Sequence, residues 1–320
     1  MPAFSMSWSA HAWTIGPSVW FDFRPRAAPA SEAWSTTLED PITGTVTLRG
    51  ALRRETGAAA SSCVVIVHGL GGSIDRPYCI QAALAAERAG ISCLRLGLRG
   101  ADRKGQDFYH GGLTHDIEAA LASPQLAEFE RLYVLGYSLG GHVTLRYATG
   151  ERLDPRVRAV AAVCAPLDLA LSAQHIDAPG SYLYRRHVLA GLNEIYAAVA
   201  KQKPVPTPLV QTLRAQALRT WDSLTIVPRF GFTDVAEYYS QMSVGPRLSA
   251  LQVPSLLAQS TLDPMVPPWT YEPHLARALP KLEIKRFDCG GHVAFPHLSF
   301  EDGQARAPLE DSLLAWLRRF

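Results

Sequence analysis

No apolar run in this sequence is long enough to cross a bilayer as a helix, which takes about 20 residues. Met1 to Trp20 has neither a basic start nor a sustained apolar stretch, so no signal peptide and no membrane anchor is expected. Charge is scarce too. Asp, Glu, Lys and Arg make up 19% of residues and the net charge is +2, which points neither to nucleic acid nor to a membrane surface as partner. The five cysteines (Cys63, Cys79, Cys93, Cys164, Cys289) contain no C-x-x-C pair. An odd count, with Cys63, Cys93 and Cys164 inside apolar runs, reads as free buried thiols in a reducing compartment. There is no H-E-x-x-H. His110 and His115, beside Asp116, do not share a helical face, so they read as loop histidines and no metal is expected. No G-K-[ST] follows Gly69 to Gly72, so that stretch is not a phosphate loop. These absences describe a soluble, cytoplasmic protein with no cofactor. What is plentiful is apolar matter, 48% of 320 residues and ample for a large core.

Residues 1–30 carry Pro2, Pro17, Pro25 and Pro29 and three tryptophans, Trp8, Trp13 and Trp20. They read as an irregular N-terminal arm whose aromatics pack on the body. Ser31 to Glu39 and Thr45 to Arg54 read as two strands around a turn, and Gly57 to Ser62 as a loop. Cys63 to Val67 is apolar throughout and mostly β-branched, the mark of a central parallel strand buried on both faces. Then strand and helix alternate. Tyr78 to Ala89 is a helix closed by Gly90, Ile91 to Leu98 a strand, and Thr114 to Ala122 a helix. Arg131 to Leu135 is a strand, Leu139 to Thr149 a helix, and Val157 to Cys164 a strand. Such alternation predicts an α/β fold with a mostly parallel, doubly wound sheet. It stops at Leu167. Helical periodicity fills Leu183 to Lys201, Leu209 to Leu224 and Asp234 to Met242, with a proline-rich loop from Lys203 to Pro208. The sheet resumes with Ser255 to Gln259, followed by a helix over Trp269 to Leu279, a strand over Leu282 to Phe287 and a closing helix over Leu309 to Phe320. The expected organisation is a core of residues 31–166 and 246–320, interrupted by a helical lid at residues 167–245.

Between the strand ending at Leu135 and the helix starting at Leu139 stands Gly136-Tyr137-Ser138-Leu139-Gly140. A G-x-S-x-G between strand and helix is a nucleophile elbow. The serine sits on a strained tight turn, and the flanking glycines are needed because a Cβ there would collide with neighbouring backbone. Two more chemistry-bearing residues follow later strands. Asp263 stands at a turn with Pro264, and His292 on a loop with Gly290 and Gly291. The chain order Ser, Asp, His is that of α/β-hydrolases. Serine is a poor nucleophile at neutral pH. His292 would take its proton, and Asp263 would orient the imidazole and stabilise its charged form. The backbone N–H groups of Leu70 and Leu139 would stabilise an oxyanion. Asp168 is the rival acid. Asp288 reads as a solvated residue, and Asp222 and Asp234 read as helix caps. His68 is expected to pack behind the Leu70 loop, while His142, His175, His187, His274 and His297 carry no motif. Of the lid aromatics Tyr182, Tyr184, Trp221, Phe230, Phe232, Tyr238 and Tyr239, most are expected in the lid's own core. No substrate-binding residue is singled out.

The sequence resembles the YheT-like α/β-hydrolases, the AB-hydrolase 4 family. The resemblance runs through VHGLGGS (Val67 to Ser73), LRGADRKGQDFYHGGLTHD (Leu98 to Asp116) and GYSLGGH (Gly136 to His142). It continues through WDSLTIVPRFGFTDVAEYYSQMS (Trp221 to Ser243), LDPMVPP (Leu262 to Pro268) and CGGHVAF (Cys289 to Phe295), and covers roughly residues 40 to 300. It implies a Ser138–Asp263–His292 triad and hydrolysis of carboxylic esters, with relatives acting on medium-chain acyl esters or phospholipids and some transferring acyl groups to alcohols. The reading is a serine esterase for short- to medium-chain acyl esters, its partner a small-molecule ester. An acyltransferase to an alcohol acceptor and a non-catalytic binding protein on the same fold are the alternatives. A homo-oligomer is left open.

Overall fold

The computed structural model describes residues 8–23, 26–56, 61–298, 300 and 306–320. Residues 57–60, within the expected loop, lie outside them. One eight-stranded sheet runs in the order β1-β2-β4-β3-β5-β6-β7-β8. An antiparallel hairpin, β1 (Glu32–Asp40) and β2 (Gly44–Arg53), forms one edge and joins antiparallel to β4 (Ser92–Gly97). Asp40 builds the hairpin turn, its Oδ1 accepting the N–H groups of Ile42 and Thr43 at 3.0 and 2.9 Å. From β4 onward every pairing is parallel, through β3 (Ser62–Val67), β5 (Arg131–Tyr137), β6 (Val157–Val163), β7 (Ser255–Ser260) and β8 (Leu282–Phe287).

The central strands are apolar on both faces because both faces are covered. Along β3 and β5 alternate residues enter opposite cores. Val64, Ile66, Tyr133 and Leu135 pack with α2 (Pro77–Arg88) and the last helix (Leu309–Leu317). Val65, Val67, Leu132 and Val134 pack with α3 (His115–Leu121), α4 (Leu139–Ala148) and the insert. Pro77 opens α2 with a preset φ, and Gly90, at φ +66°, follows its end.

Between β6 and β7 the described chain is helical: α5 (Leu169–Asp177), α6 (Tyr182–Ala200), α7 (Leu209–Thr212), α8 (Leu218–Leu224), α9 (Ile226–Phe230) and α10 (Val235–Met242). The last helix is α11. Two expected helices, one in this stretch and one after β7, fail for different reasons. Leu209 to Leu224 is two helices, not one. The Asp177 carboxylate accepts the N–H groups of Leu218 and Arg219 at 2.6 and 3.1 Å, so a residue from another helix caps a fresh start for α8. Trp269 to Leu279 is not a helix but two 3-10 turns, Pro268–Thr270 and Glu272–His274. Pro273 supplies no N–H there, and its ring would collide with the preceding turn of an α-helix.

The N-terminal arm departs most from expectation. Residues 8–23 form helix α1 (Trp8–Phe23) rather than an irregular segment. Its Ala10 is fully buried against the body, so docking, not local propensity, sustains the helix.

A buried charge cluster fastens the insert to the sheet. Arg99, after β4, bonds Asp40, Asp107 and Asp116 at 2.8, 3.1 and 2.7 Å. Arg229 on α9 bonds the same Asp40 and Asp107 at 3.0 and 2.7 Å, and also Thr43.

Candidate active site

Ser138 sits between β5 and α4 at φ 54° and ψ −124°, a conformation L-residues rarely adopt. Its N–H is held by the carbonyl of Val163 at 2.8 Å. The elbow glycines are sterically obligatory. A Cβ on Gly136 would lie 2.3 Å from the Gly140 carbonyl oxygen, and one on Gly140 would lie 2.4 Å from that of His68. The turn therefore closes only with glycine at both places.

Because β5, β7 and β8 are parallel, the residues that follow them emerge at one edge of the sheet. There Ser138 Oγ lies 2.9 Å from His292 Nε2, and His292 Nδ1 lies 2.8 Å from Asp263 Oδ2. The other Asp263 oxygen accepts the N–H groups of Met265 and Val266 at 2.8 and 3.0 Å. Burial alone would push this carboxyl up. The neighbouring imidazole, its hydrogen bond and the two amides outweigh burial and hold it below the usual carboxylate range. Asp263 thus stays ionised although almost wholly buried.

The loop after β3 faces the serine. Its amides are largely taken: Gly69 N–H donates to Tyr78 Oη at 3.1 Å, Gly71 N–H to Tyr109 Oη at 2.7 Å, and Gly72 N–H to the Gly69 carbonyl at 3.1 Å. His68 braces this loop from behind. Nδ1–H donates to the Gly69 carbonyl at 2.8 Å, and Nε2 accepts the Leu98 N–H at 3.2 Å. That tautomer is neutral, and burial lowers its pKa to about 4. Leu70 and Leu139 both line the cavity beside Ser138.

The cavity holds about 500 Å³ and runs from Ser138 and His292 under the insert. Its walls are mainly apolar, including Leu169, Ile176, Val188, Leu192 and Ile226. The insert's aromatics divide between two roles. Tyr184, Trp221, Tyr238 and Tyr239 are buried and also line the cavity. Phe230 and Phe232 pack on the His110 ring, and Tyr182 is 54% exposed.

Other candidates bond elsewhere than to the serine. Asp168 caps α5, accepting the Leu171 N–H at 2.9 Å, and faces His274 rather than His292. Asp234 caps α10 through the Glu237 N–H at 2.8 Å, and Asp288 is exposed beyond β8. His110 is buried among aromatics, and His142 bonds the carbonyls of Pro166 and Met242 at 2.6 and 2.9 Å. Among the described residues, Cys164, Asp263 and His292 hold metal-ligand atoms within 4.8 Å of one another. Asp263 Oδ2 and His292 Nδ1 already bond each other.

Asp222 is a correction. It does not cap a helix. It is buried at the cavity wall, accepting the Tyr239 hydroxyl at 2.6 Å, and burial pushes its carboxyl up to about 7. A carboxyl whose folded pKa is raised stabilises the fold below its unfolded value and loses that contribution as pH rises through the folded value. Asp222→Asn is therefore expected to gain on wild type by a few kcal/mol between pH 4 and pH 7. Urea unfolding of both proteins across that range checks it. A constant difference would mean that the carboxyl does not titrate there.

Thr14 and Ile15 of α1 also line the cavity, and sequence reasoning did not find them. The only cue was an aromatic-rich arm.

Residues 63–297 match a family model described as the alpha/beta hydrolase fold. YheT of Escherichia coli, which carries an esterase name, is 29% identical over 239 residues, covering 72% of this chain and 70% of that one. The medium-chain fatty acid ethyl ester synthase/esterase 2 of Saccharomyces cerevisiae is 27% identical, covering 72% of this chain but 57% of its own length. The solved 2,6-dihydroxy-pseudo-oxynicotine hydrolase superposes with a TM-score of 0.54 at 16% identity, over 83% of this chain and 63% of that one. With the sheet, the elbow and the matched model in agreement, the chain belongs to the α/β-hydrolase fold family and is YheT-like within it.

Proposed function

We propose that the chain is a carboxylic ester hydrolase working through Ser138, His292 and Asp263. The observation that carries the reading is the unbroken relay from Ser138 Oγ to His292 at 2.9 Å and on to Asp263 at 2.8 Å, opening on an apolar cavity. Ser138 Oγ attacks the ester carbonyl carbon while His292 Nε2 takes its proton. Asp263, ionised and held by two amides, keeps Nδ1 protonated and steadies the imidazolium. The carbonyl oxygen becomes an oxyanion received by the N–H groups of Leu70 and Leu139. This fits a loop in which the amides of Gly69, Gly71 and Gly72 are already engaged. The intermediate collapses, the alkoxide takes the His292 proton, and the alcohol leaves. Water then gives a proton to His292, attacks the acyl-enzyme and frees the acid, and Ser138 recovers its proton.

The esterase names of the Escherichia coli and yeast relatives support the substrate class, and an apolar cavity of about 500 Å³ favours short- to medium-chain acyl groups. Residues 167–245 act as a lid over a core of residues 31–166 and 246–320. The yeast relative's synthase name supports a second use of the same acyl-enzyme, transfer to an alcohol when water is kept out. Hydrolysis of p-nitrophenyl esters from acetyl to palmitoyl should peak at one chain length, and His292→Ala should abolish it at every length. No labelling of Ser138 by a fluorophosphonate would contradict its role as nucleophile.

A further inference from the structure

Helix α1, outside the expected catalytic core, bonds the loop that carries His292. The His292 backbone N–H donates to Thr14 Oγ1 at 2.9 Å, and that hydroxyl donates its own proton to the Ala10 carbonyl at 2.8 Å. The hydroxyl is thus oriented, with a lone pair presented to the histidine loop. Gly291 is the matching surface. A Cβ there would lie 2.4 Å from Thr14 Oγ1 and 2.5 Å from the Ala10 carbonyl, so the loop is bare where the helix approaches. On its other side α1 reaches α6. His11 Nδ1 lies 2.5 Å from Tyr184 Oη, and the two rings are stacked with an interplanar angle of 8°.

We infer that α1 is part of the active site, with Thr14 a positioning residue that sets His292 against Ser138, and with Thr14 and Ile15 forming one wall of the substrate cavity. This rests on the reading of His292 as the base. The physical need is clear from the loop itself. Gly290 sits at φ 82°, Gly291 has no side chain and gives its N–H to the Ala294 carbonyl at 2.9 Å, and Val293, at φ 57°, gives its N–H to the Cys164 sulfur at 3.4 Å. Beside these ties, Thr14 offers an oxygen acceptor on a helix. A base displaced by about 1 Å costs on the order of 100-fold in rate.

The test is a set of four variants of the full chain, assayed on the best p-nitrophenyl ester. Thr14→Val keeps the shape and removes the hydroxyl. It is expected to lower kcat about 10- to 100-fold, with KM changed far less and the urea midpoint near wild type. Thr14→Ser restores the acceptor and should restore kcat. His11→Phe keeps the ring stack on Tyr184 and should alter KM more than kcat. Wild-type kcat in Thr14→Val, or a Thr14→Ser as slow as Thr14→Val, would overturn the assignment. Should Thr14→Val fail to fold, hydrogen exchange of the His292 amide in wild type decides. Core-like protection supports the contact, and loop-like exchange removes it. His292→Ala separates the two readings. If it retains turnover, the base reading falls. If it is inactive while Thr14→Val is unimpaired, only the role of Thr14 falls.

Discussion

Ser138→Ala is expected to lower kcat by about 10⁴- to 10⁶-fold while leaving the urea midpoint close to wild type. The size follows from the chemistry. On the proposed mechanism, without Oγ there is no acyl-enzyme, and His292 has no nucleophile to deprotonate. What would survive is the residual effect of binding and of the proposed oxyanion donors, the Leu70 and Leu139 amides, typically about 10³- to 10⁴-fold over water. Stability should hold because alanine keeps the Cβ and the unusual backbone at φ 54° is unchanged. The hydroxyl's principal contact is the single bond to His292. Burst kinetics with p-nitrophenyl esters and a urea titration check both halves. Retained hydrolysis on every ester would sink the proposed mechanism, and a lost fold would make the rate uninterpretable.

The second large effect is on stability. Arg99→Ala should cost about 3 to 5 kcal/mol, because removing one partner strands buried carboxylates. Arg99 is 1% exposed, and its partners Asp116 and Asp107 are 0% and 2% exposed. Two guanidinium groups serve three carboxylates in this cluster, and losing Arg99 leaves only Arg229. Asp116 then has no cation at all in the cluster. Burial would raise the Asp40 carboxyl, but the amides of Thr43 and Ile42 and the two arginines hold it far below its ordinary value. Its contribution is therefore lost only in strong acid, and the cluster operates across the neutral range. The exposed pair Arg49–Asp102, at 2.7 Å with side chains 34% and 25% exposed, is the control. Arg49→Ala should cost at most about 1 kcal/mol. Equal urea midpoints for the two variants would show that the cluster confers nothing beyond an ordinary surface pair. Because Arg229 rides on α9, Arg99→Ala should also loosen the insert over the cavity, seen as a raised KM.

Much of this was written locally in the chain. The β-branched run Val64 to Val67 has no place except between two covered faces, and it lies there. The elbow was legible because its geometry admits little except glycine at residues 136 and 140. Strand-then-polar punctuation marked Asp263 and His292, since parallel strands bring such residues to one edge whatever lies between them. Local signals failed where the deciding partner was remote. The break before α8 is made by Asp177, some forty residues earlier in the chain. Asp222 looked like a cap and became a buried cavity carboxyl because α10 places Tyr239 against it. Over Trp269 to Leu279 the reason is local, since Pro273 has no N–H to give and its ring blocks an α-turn before it.

The sequence by itself determined the layered α/β core, the order of Ser138, Asp263 and His292 and the position of the insert, because periodicity, glycine and strand ends act within a few residues. Tertiary structure alone decided that α1 is a helix, that Thr14 meets the His292 amide 278 residues away, and that two arginines share three buried carboxylates. Those depend on desolvation and on hydrogen-bond geometry between distant segments, which arise only once the chain has closed on itself.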